Sequence, residues 1–132
     1  MSAIETVDTF LRHVFSGDLP SALALVAEDA HFVGSRPTPS ATNPIFGTHV
    51  GPDGAQAFFS AFAQVLQPGA FDVQARFGQG DHVAMYGTLC HTVRSTGRPF
   101  ASDWALICVV RDGKLWRYHF YEDTEALAQA MN

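Results

Sequence analysis

The chain has 132 residues, of which 47% are hydrophobic and 16% are charged, and its formal net charge at pH 7 is −5. This length fits one domain, residues 1–132, built on one core. It contains no lysine or arginine cluster and no run of about 20 apolar residues, so we expect neither nucleic-acid binding nor a membrane span. The N-terminus lacks the pattern of a signal peptide, and Cys90 and Cys108 are isolated. We therefore expect reduced thiols in a cytoplasmic protein.

The N-terminal half predicts helices around one short strand. Apolar residues recur at helical spacing over residues 4–15, and an Asp and a Pro near the start of residues 18–26 are typical of a second helix. Residues 30–33 predict a strand. Residues 36–52 contain four prolines and predict a long loop, functional or mobile, such as a lid. An Ala- and Phe-rich third helix is predicted over residues 52–66.

The C-terminal half predicts a sheet that is followed by a short helix. Apolar, β-branched and aromatic runs at residues 71–77, 82–93, 100–110 and 115–121 predict four strands. An Asp-Gly turn joins the last two, which is among the strongest local signals for a hairpin. Residues 125–131 predict a terminal helix. The order is ααβαββββα, which is an α+β domain.

Several short motifs occur in this order along the chain: Ser16-Gly17-Asp18, Glu28-Asp29-Ala30, Phe46-Gly47-Thr48, Gly51, Arg111-Asp112-Gly113-Lys114 and Tyr121-Glu122-Asp123-Thr124. With this spacing the chain resembles the nuclear-transport-factor-2-like (NTF2-like) superfamily, and within it the SnoaL-like and ketosteroid-isomerase-related proteins. The resemblance implies a cone, in which a curved, mostly antiparallel sheet wraps around N-terminal helices and encloses a deep apolar pocket. It also implies a homodimer. Such proteins include isomerases, aldol cyclases, epoxide hydrolases, dehydratases and binding modules, so side chains must decide the function.

The groups that ketosteroid isomerases use are missing. Their sequences resemble this one and can be matched to it almost without gaps. The match places their catalytic tyrosine at Phe10, their carboxylate base at Gly34 and their protonated aspartic acid at Leu106. The resemblance therefore argues against a true ketosteroid isomerase. Limonene-epoxide-hydrolase chemistry needs an Asp-Arg-Asp arrangement, and no strand carries an Arg-x-Asp triplet.

Alternation along the last three long strands predicts which side chains face the pocket. The inward set is Gly87, Leu89, His91, Ser102, Trp104, Leu106, Cys108, Trp116, Tyr118, Phe120 and Glu122. Asp103, His119 and Tyr121 are predicted to point outward. The remaining predicted wall comes from the helices, the first strand and the first residue of the proline-rich loop: Phe10, Val14, Phe32, Arg36, Phe58, Phe59 and Phe62.

Three polar residues are candidates for chemistry. His91 near an apolar pocket can act as a general acid or base near neutral pH, or can be a hydrogen-bonded core residue that only contacts a ligand. Glu122 at an apolar mouth would have a raised pKa and could transfer a proton, or it could be solvated or cap the last helix. Arg36 could hold a carboxylate or phenolate, or be a surface charge.

The sequence therefore predicts a protein that binds a small apolar, cyclic or aromatic molecule. If it is an enzyme, we expect an isomerase, cyclase or dehydratase that needs no cofactor and no metal, with His91 and Glu122 as catalytic residues. The alternative is a non-catalytic ligand-binding or dimerisation module. A homodimer is expected through the outer face of the sheet, whose predicted residues are Cys90, Ala105, Ile107, Val109, Leu115 and Tyr121.

Overall fold

Four helices pack against a single six-stranded sheet in the computed structural model, which describes residues 1–132. The helices are α1 (Ala3–Phe15), α2 (Leu19–Leu23), α3 (Gly51–Val65) and α4 (Thr124–Met131). The strands are β1 (Val26–Gly34), β2 (Thr48–Val50), β3 (Leu66–Gln79), β4 (His82–Val93), β5 (Pro99–Arg111) and β6 (Lys114–Glu122).

The strand order is β2-β1-β6-β5-β4-β3. Only β1 and β6 run parallel; the chain leaves β1 and returns beside it as β6 after five further strands and helices. All other neighbours are antiparallel. The α+β fold with a curved, mostly antiparallel sheet is thereby confirmed.

Helix α1 packs its apolar stripe into the concave side of the sheet. Ser2 caps the helix by accepting the N–H of Glu5 at 3.2 Å, and its hydroxyl donates to the Glu5 carboxylate at 3.0 Å. This reciprocal pair satisfies a backbone donor that the first turn leaves free. Phe10, at the centre of the stripe, lies within 6.0 Å of the Phe32 and Tyr118 rings, measured between centroids.

The long proline-rich loop is more ordered than predicted. Its end forms β2, which pairs with β1 through His31 and Val50. Three residues are too few to give a strand pattern, so the sequence did not reveal it. Ile45 in the middle of the loop is buried in the core, and its N–H is held by the side chain of Asn43 at 3.0 Å. The loop is therefore anchored, which leaves little support for a lid.

Two other boundaries differ from the prediction. Val26 begins β1 instead of ending α2, because the Asp18-capped helix stops at Leu23. Strand β3 begins at Leu66, directly after α3, and passes through a register irregularity between Gln67 and Ala70. That irregularity explains why Pro68-Gly69, a pair typical of a turn, lies inside a strand.

The inward and outward alternation holds on β4 and β5 but changes on β6. The register shifts where Val109 pairs with Arg117 and Val110 pairs with Leu115. Leu115 is consequently buried in the core, and its predicted outward position was wrong. Trp116 was predicted to face the pocket, but its ring is flanked by the guanidinium groups of Arg111 and Arg117, at 3.4 and 3.5 Å from its centroid.

None of the helices is both long enough and apolar enough to cross a membrane.

Candidate functional site

A cavity of about 420 Å³ lies between α1, α3 and the concave face of the sheet. Fourteen of its 18 lining residues are hydrophobic. The lining is Leu11, Val14, Phe15, Gly17, Leu19, Phe58, Phe59, Phe62, Ala63, Pro68, Gly69, Phe71, Met85, His91, Trp104, Leu106, Tyr118 and Phe120. A volume of this size and a mostly hydrophobic wall with eight Phe, Trp and Tyr residues suit a small organic molecule.

His91 is the one imidazole on the cavity wall. It lies near the end of β4, faces inward and is buried. Its Nδ1 accepts the backbone N–H of Gly69 at 2.9 Å. Since a neutral imidazole carries one proton, acceptance at Nδ1 places that proton on Nε2. Nε2 has no partner within the protein, so His91 presents an N–H donor to the cavity.

The irregularity in β3 supplies the partner of His91. Gly69 lies in the unpaired stretch between Gln67, opposite Thr92, and Ala70, opposite Cys90. The extra residues turn the Gly69 N–H away from the strand ladder and toward the imidazole. A Cβ at Gly69 would collide with the carbonyl oxygen of Cys90. Only glycine lets the two backbones approach this closely.

Both the surroundings and the hydrogen bond keep the His91 ring neutral. Burial lowers the pKa of His91 below its ordinary value. The hydrogen bond from Gly69 acts in the same direction, because it uses the lone pair that a proton would occupy. The sequence allowed a general base at this position. The geometry makes the ring a hydrogen-bond donor instead, since its one basic nitrogen is already engaged.

Phe71 fills the space between His91 and Trp104. Its ring stacks on Trp104 with 4.5 Å between centroids and lies parallel to His91 at 6.3 Å. His91 pairs across the strands with Phe100, and Trp104 pairs with Gly87. The two residues therefore lie four positions apart along the sheet. The ring of Phe71 from β3 lies between their rings, so the three side chains form a continuous aromatic surface.

Tyr118 is the second polar side chain on the wall. Burial, and then the nearby Cys108 and Glu122, raise the pKa of Tyr118, so its phenol stays protonated. The indole N–H of Trp104 is already donated to the carbonyl of Thr88 at 3.1 Å. No carboxylate or amine lines the cavity. The wall thus offers neutral hydrogen-bond donors to a ligand oxygen.

Glu122 lies just beyond this wall. It is paired across the strands with Trp104, and its Oε2 is buried without a hydrogen-bond partner. Loss of solvent raises the pKa of Glu122 from about 4.5 to about 7. This is the shift that the sequence anticipated for a carboxyl group at an apolar mouth. The helix cap is instead Asp123, whose side chain accepts the N–H of Ala126 at 3.0 Å.

The structure brings eight of the predicted ligand-binding residues to the cavity wall: Val14, Phe58, Phe59, Phe62, Trp104, Leu106, Tyr118 and Phe120. Four others face inward but lie behind that wall, in the packed core: Phe10, Phe32, Leu89 and Cys108. Alternation along a strand gives the direction of a side chain but not its depth. The ring of Phe32, for example, is covered by the Tyr118 ring at 4.6 Å.

Arg36 and Ser102 lie away from the cavity. Arg36 is exposed, and its guanidinium donates to the carbonyls of Thr38 at 3.1 Å and Pro39 at 3.0 Å. It therefore stabilises its own loop. Ser102 accepts the N–H of Asp123 at 2.9 Å and donates to the carbonyl of Asp103. It ties β5 to the start of α4, which is a structural role.

Half of the wall residues were not predicted from the sequence: Leu11, Phe15, Gly17, Leu19, Ala63, Pro68, Gly69, Phe71 and Met85. Met85 has the same alternation as Leu89 and His91, so the pattern of β4 could have identified it. Phe71 and Gly69 could not be identified this way, because the irregularity in β3 breaks its alternation.

No group of three or more His, Cys, Asp or Glu side chains is arranged to hold a metal ion.

Residues 7–118 match the family described as the SnoaL-like domain. Patulin synthesis protein F from Aspergillus clavatus is 31% identical over 113 residues, which are 80% of this chain and 57% of that protein. The chain thus spans just over half the length of this relative. An NTF2-like protein from Burkholderia xenovorans LB400 has a TM-score of 0.86 and 28% identity, covering 98% of this chain and 95% of its own. TerC, co-crystallised with polyporic acid, shares the fold with a TM-score of 0.81 at 23% identity, covering 98% of this chain and 97% of its own.

Proposed function

The chain belongs to the SnoaL-like domain family, as its sequence motifs predicted, and on that premise we propose that its cavity binds a small, largely apolar ring compound and holds one oxygen of that compound on His91. The observation that carries this proposal is the Gly69 N–H bonded to Nδ1, which leaves Nε2–H for a ligand. The aromatic side chains around it suit a flat ring. The polyporic acid of the TerC crystal and the biosynthetic name of the Aspergillus relative support a small organic ligand.

We further propose that the protein catalyses a proton transfer next to a ring carbonyl, without a cofactor. A neutral imidazole can polarise a carbonyl as an electrophile, a role known from other enzymes. A carbon-bound proton moves to a base, and the bonding electrons move onto the carbonyl oxygen. The resulting enolate oxygen is held by His91. Isomerisation, aldol cyclisation and dehydration all pass through such an enolate, so this step is common to the three reactions.

Glu122 is our candidate for the base. A carboxyl group with a pKa of about 7 is half ionised at neutral pH, which suits a general base. It lies one cross-strand pair from the wall and influences Tyr118 electrostatically. The alternative function, a non-catalytic binding module, is favoured by one observation: no carboxylate lies on the cavity wall itself.

Exchange of the α-protons of 2-tetralone for deuterium, followed by NMR, tests both proposals. This ring ketone has one oxygen and an acidic C–H beside it. Catalysed exchange that Glu122→Gln abolishes supports the enzyme. Saturable binding of 2-tetralone, tighter than binding of tetralin, with no catalysed exchange supports the binding module. Equal affinity for tetralone and tetralin contradicts the role of His91.

Two substitutions of His91 separate its two hydrogen bonds. Asparagine keeps an acceptor near the position of Nδ1 and loses the cavity donor. Glutamine keeps a donor near the position of Nε2 and loses the acceptor. We expect His91→Asn to fold normally and slow exchange by about a hundredfold, the usual cost of one oxyanion donor. We expect His91→Gln to retain most activity and lose about 1 kcal/mol of stability.

The exposed His82 on the same strand provides the control for these variants. His82→Asn should match the wild type in both exchange rate and unfolding free energy. If His91→Asn exchanges as fast as the wild type, His91 does not hold the oxygen.

We expect no ketosteroid isomerase activity. The positions of the three catalytic groups are occupied by Phe10, Gly34 and Leu106, and Gly34 packs against Ile45 with no room for a side chain. Loss of both oxyanion donors and the base removes more than the roughly 10² to 10³ that a single donor contributes. Absorbance assays with a Δ5-3-ketosteroid should show no double-bond migration above that of the His91→Asn protein.

We also propose a homodimer formed by the outer face of the sheet. Tyr86, Ile107 and Tyr121 lie on this face and are 47%, 41% and 44% exposed. Cys90 is exposed on the same face, four residues along β4 from Tyr86. Such a contiguous apolar surface is unusual on a monomer. Light scattering at micromolar concentration should give twice the 14.3 kDa chain mass, and Ile107→Lys should reduce it to the monomer value. A monomer mass for the wild type contradicts this assembly.

A further inference from the structure

A second concavity, of about 550 Å³, opens on the surface between α1 and β3. Its lining is Asp8, Leu11, Arg12, Phe15, Phe71, Val73, Arg76 and Met85. Four of these residues, Leu11, Phe15, Phe71 and Met85, also line the inner cavity. The two spaces are therefore neighbours that share one wall. We call the outer one the arginine groove.

Two of the four shared wall residues, Phe15 and Phe71, are aromatic, and the wall is partly open to solvent. Phe15 ends α1 and is 62% exposed, which is high for a phenylalanine. Its ring contacts Phe71 with 5.3 Å between centroids, and Phe71 in turn forms the inner stack with Trp104. A ring compound that leaves the inner cavity on this side would pass from one aromatic surface to another. Apolar exposure of this kind is typical of a ligand-contact surface.

The charge of the groove is opposite to that of the protein. The chain carries only eight Lys and Arg residues against 13 Asp and Glu, yet two of the eight line this groove. Another surface concavity, beside Tyr86 and Tyr121, contains Asp103 and Glu122 and no cation. Charge therefore distinguishes the two surfaces and favours an anion in the arginine groove.

Most guanidinium hydrogens in the groove are free to bind a ligand. Arg76 makes one contact, from Nε to the Asp8 carboxylate at 3.7 Å, which is too long for a strong hydrogen bond. Arg12 makes one hydrogen bond, to the hydroxyl of Thr9 at 3.3 Å. An arginine fork commonly binds a carboxylate with two parallel hydrogen bonds. Each of these side chains retains enough donors for that geometry.

From these observations we infer that the ligand is an aromatic carboxylate that spans both spaces. Its ring system and oxygen lie in the inner cavity with the oxygen on His91, and its carboxylate lies in the arginine groove near Arg12 and Arg76. Phe15 and Phe71 contact the part of the ligand between these two ends. This inference rests on the proposed ligand-binding function of the inner cavity and names the chemical class of that ligand.

A pair of probes tests the inference: 4′-hydroxybiphenyl-4-carboxylate and its neutral methyl ester, compared by titration calorimetry. Both offer a hydroxyl to His91, and only the acid offers an anion to the groove. We expect the wild type to bind the acid about tenfold more tightly than the ester, because half-exposed ion pairs contribute modestly. This preference should decrease as salt is added.

Substitutions in the arginine groove test whether the preference for the acid arises there. The double variant, Arg12→Gln with Arg76→Gln, should bind the two probes with equal affinity. Its affinity for the ester should equal that of the wild type. Asp8→Asn removes the competing carboxylate beside Arg76, so it should strengthen the preference for the acid. A gain of this kind cannot arise from damage to the fold. Arg98→Gln, on the distant turn between β4 and β5, should leave the preference unchanged.

The outcomes separate this inference from the proposed function. If the ester binds and His91→Asn weakens it, but the acid binds no more tightly than the ester, the arginine groove has no role and the inner cavity retains its function. A preference for the acid that survives loss of both arginines also overturns the inference. If neither probe binds, the proposed cavity function and this inference are both contradicted.

Discussion

Glu122→Gln is expected to stabilise the protein at alkaline pH by about 3 kcal/mol. Burial raises the pKa of Glu122 from about 4.5 to about 7 in the folded state. The folded protein therefore binds this proton more tightly than the unfolded chain does. The stability that this bound proton contributes is fully present below about pH 4.5 and is lost as the pH rises through about 7. A shift of this size corresponds to about 3 kcal/mol, at 1.36 kcal/mol per pH unit. Glutamine carries no charge and avoids the loss.

Urea unfolding at acid and alkaline pH measures this effect. Below about pH 4.5 the variant and the wild type should have similar free energies of unfolding, and above about pH 8 the variant should be more stable. Glu125→Gln is the matched control, since Glu125 is exposed and lies three residues beyond Glu122, the last residue of β6. Parallel pH profiles for Glu122→Gln and the wild type would show that Glu122 is solvated in the folded protein.

Gly69→Ala is expected to destabilise the protein by about 3 kcal/mol. The added methyl group meets the carbonyl oxygen of Cys90, which is backbone and cannot rotate away. Overpacking of this kind usually costs roughly 1 to 3 kcal/mol, and here the movement also removes the N–H that Nδ1 of His91 accepts. We therefore expect the His91 pKa to rise as well, because its lone pair becomes free.

The control is Gly80→Ala at the tip of the hairpin formed by β3 and β4. Gly80 has a positive φ of 60°, but no atom lies within 4 Å of an added Cβ. Its substitution costs only the strain of a left-handed backbone, about 1 kcal/mol. Equal losses for the two variants would mean that Cys90 and Gly69 are not in close backbone contact.

Much of this fold could be predicted from the sequence because its strong signals are local. The hairpins of β4, β5 and β6 follow from alternation and from turn residues, and the direction of His91 follows from the same alternation. The position of Leu115 does not, since the register shift next to Val109 changes the direction of the side chains at the start of β6 only. The short strand β2 has too few residues to show a pattern.

The candidate site was predictable in its residue types and not in its hydrogen bonds. Sequence indicated a buried histidine near an apolar pocket, but not that Gly69 would occupy Nδ1. That contact depends on an irregularity in β3, and on a backbone approach that only the folded structure reveals. The same irregularity hid Phe71. The function inferred for His91 consequently changes from acid or base to hydrogen-bond donor.

The most direct test of the account is the protonation state of His91. Heteronuclear NMR of protein with isotope-labelled histidine nitrogens distinguishes the two ring nitrogens. At neutral pH we expect His91 to be neutral, with its proton on Nε2 and with Nδ1 unprotonated and hydrogen-bonded. Addition of 2-tetralone should shift the Nε2 resonance more than that of Nδ1. A proton on Nδ1, or a charged ring at neutral pH, would contradict the claim that His91 holds the ligand oxygen.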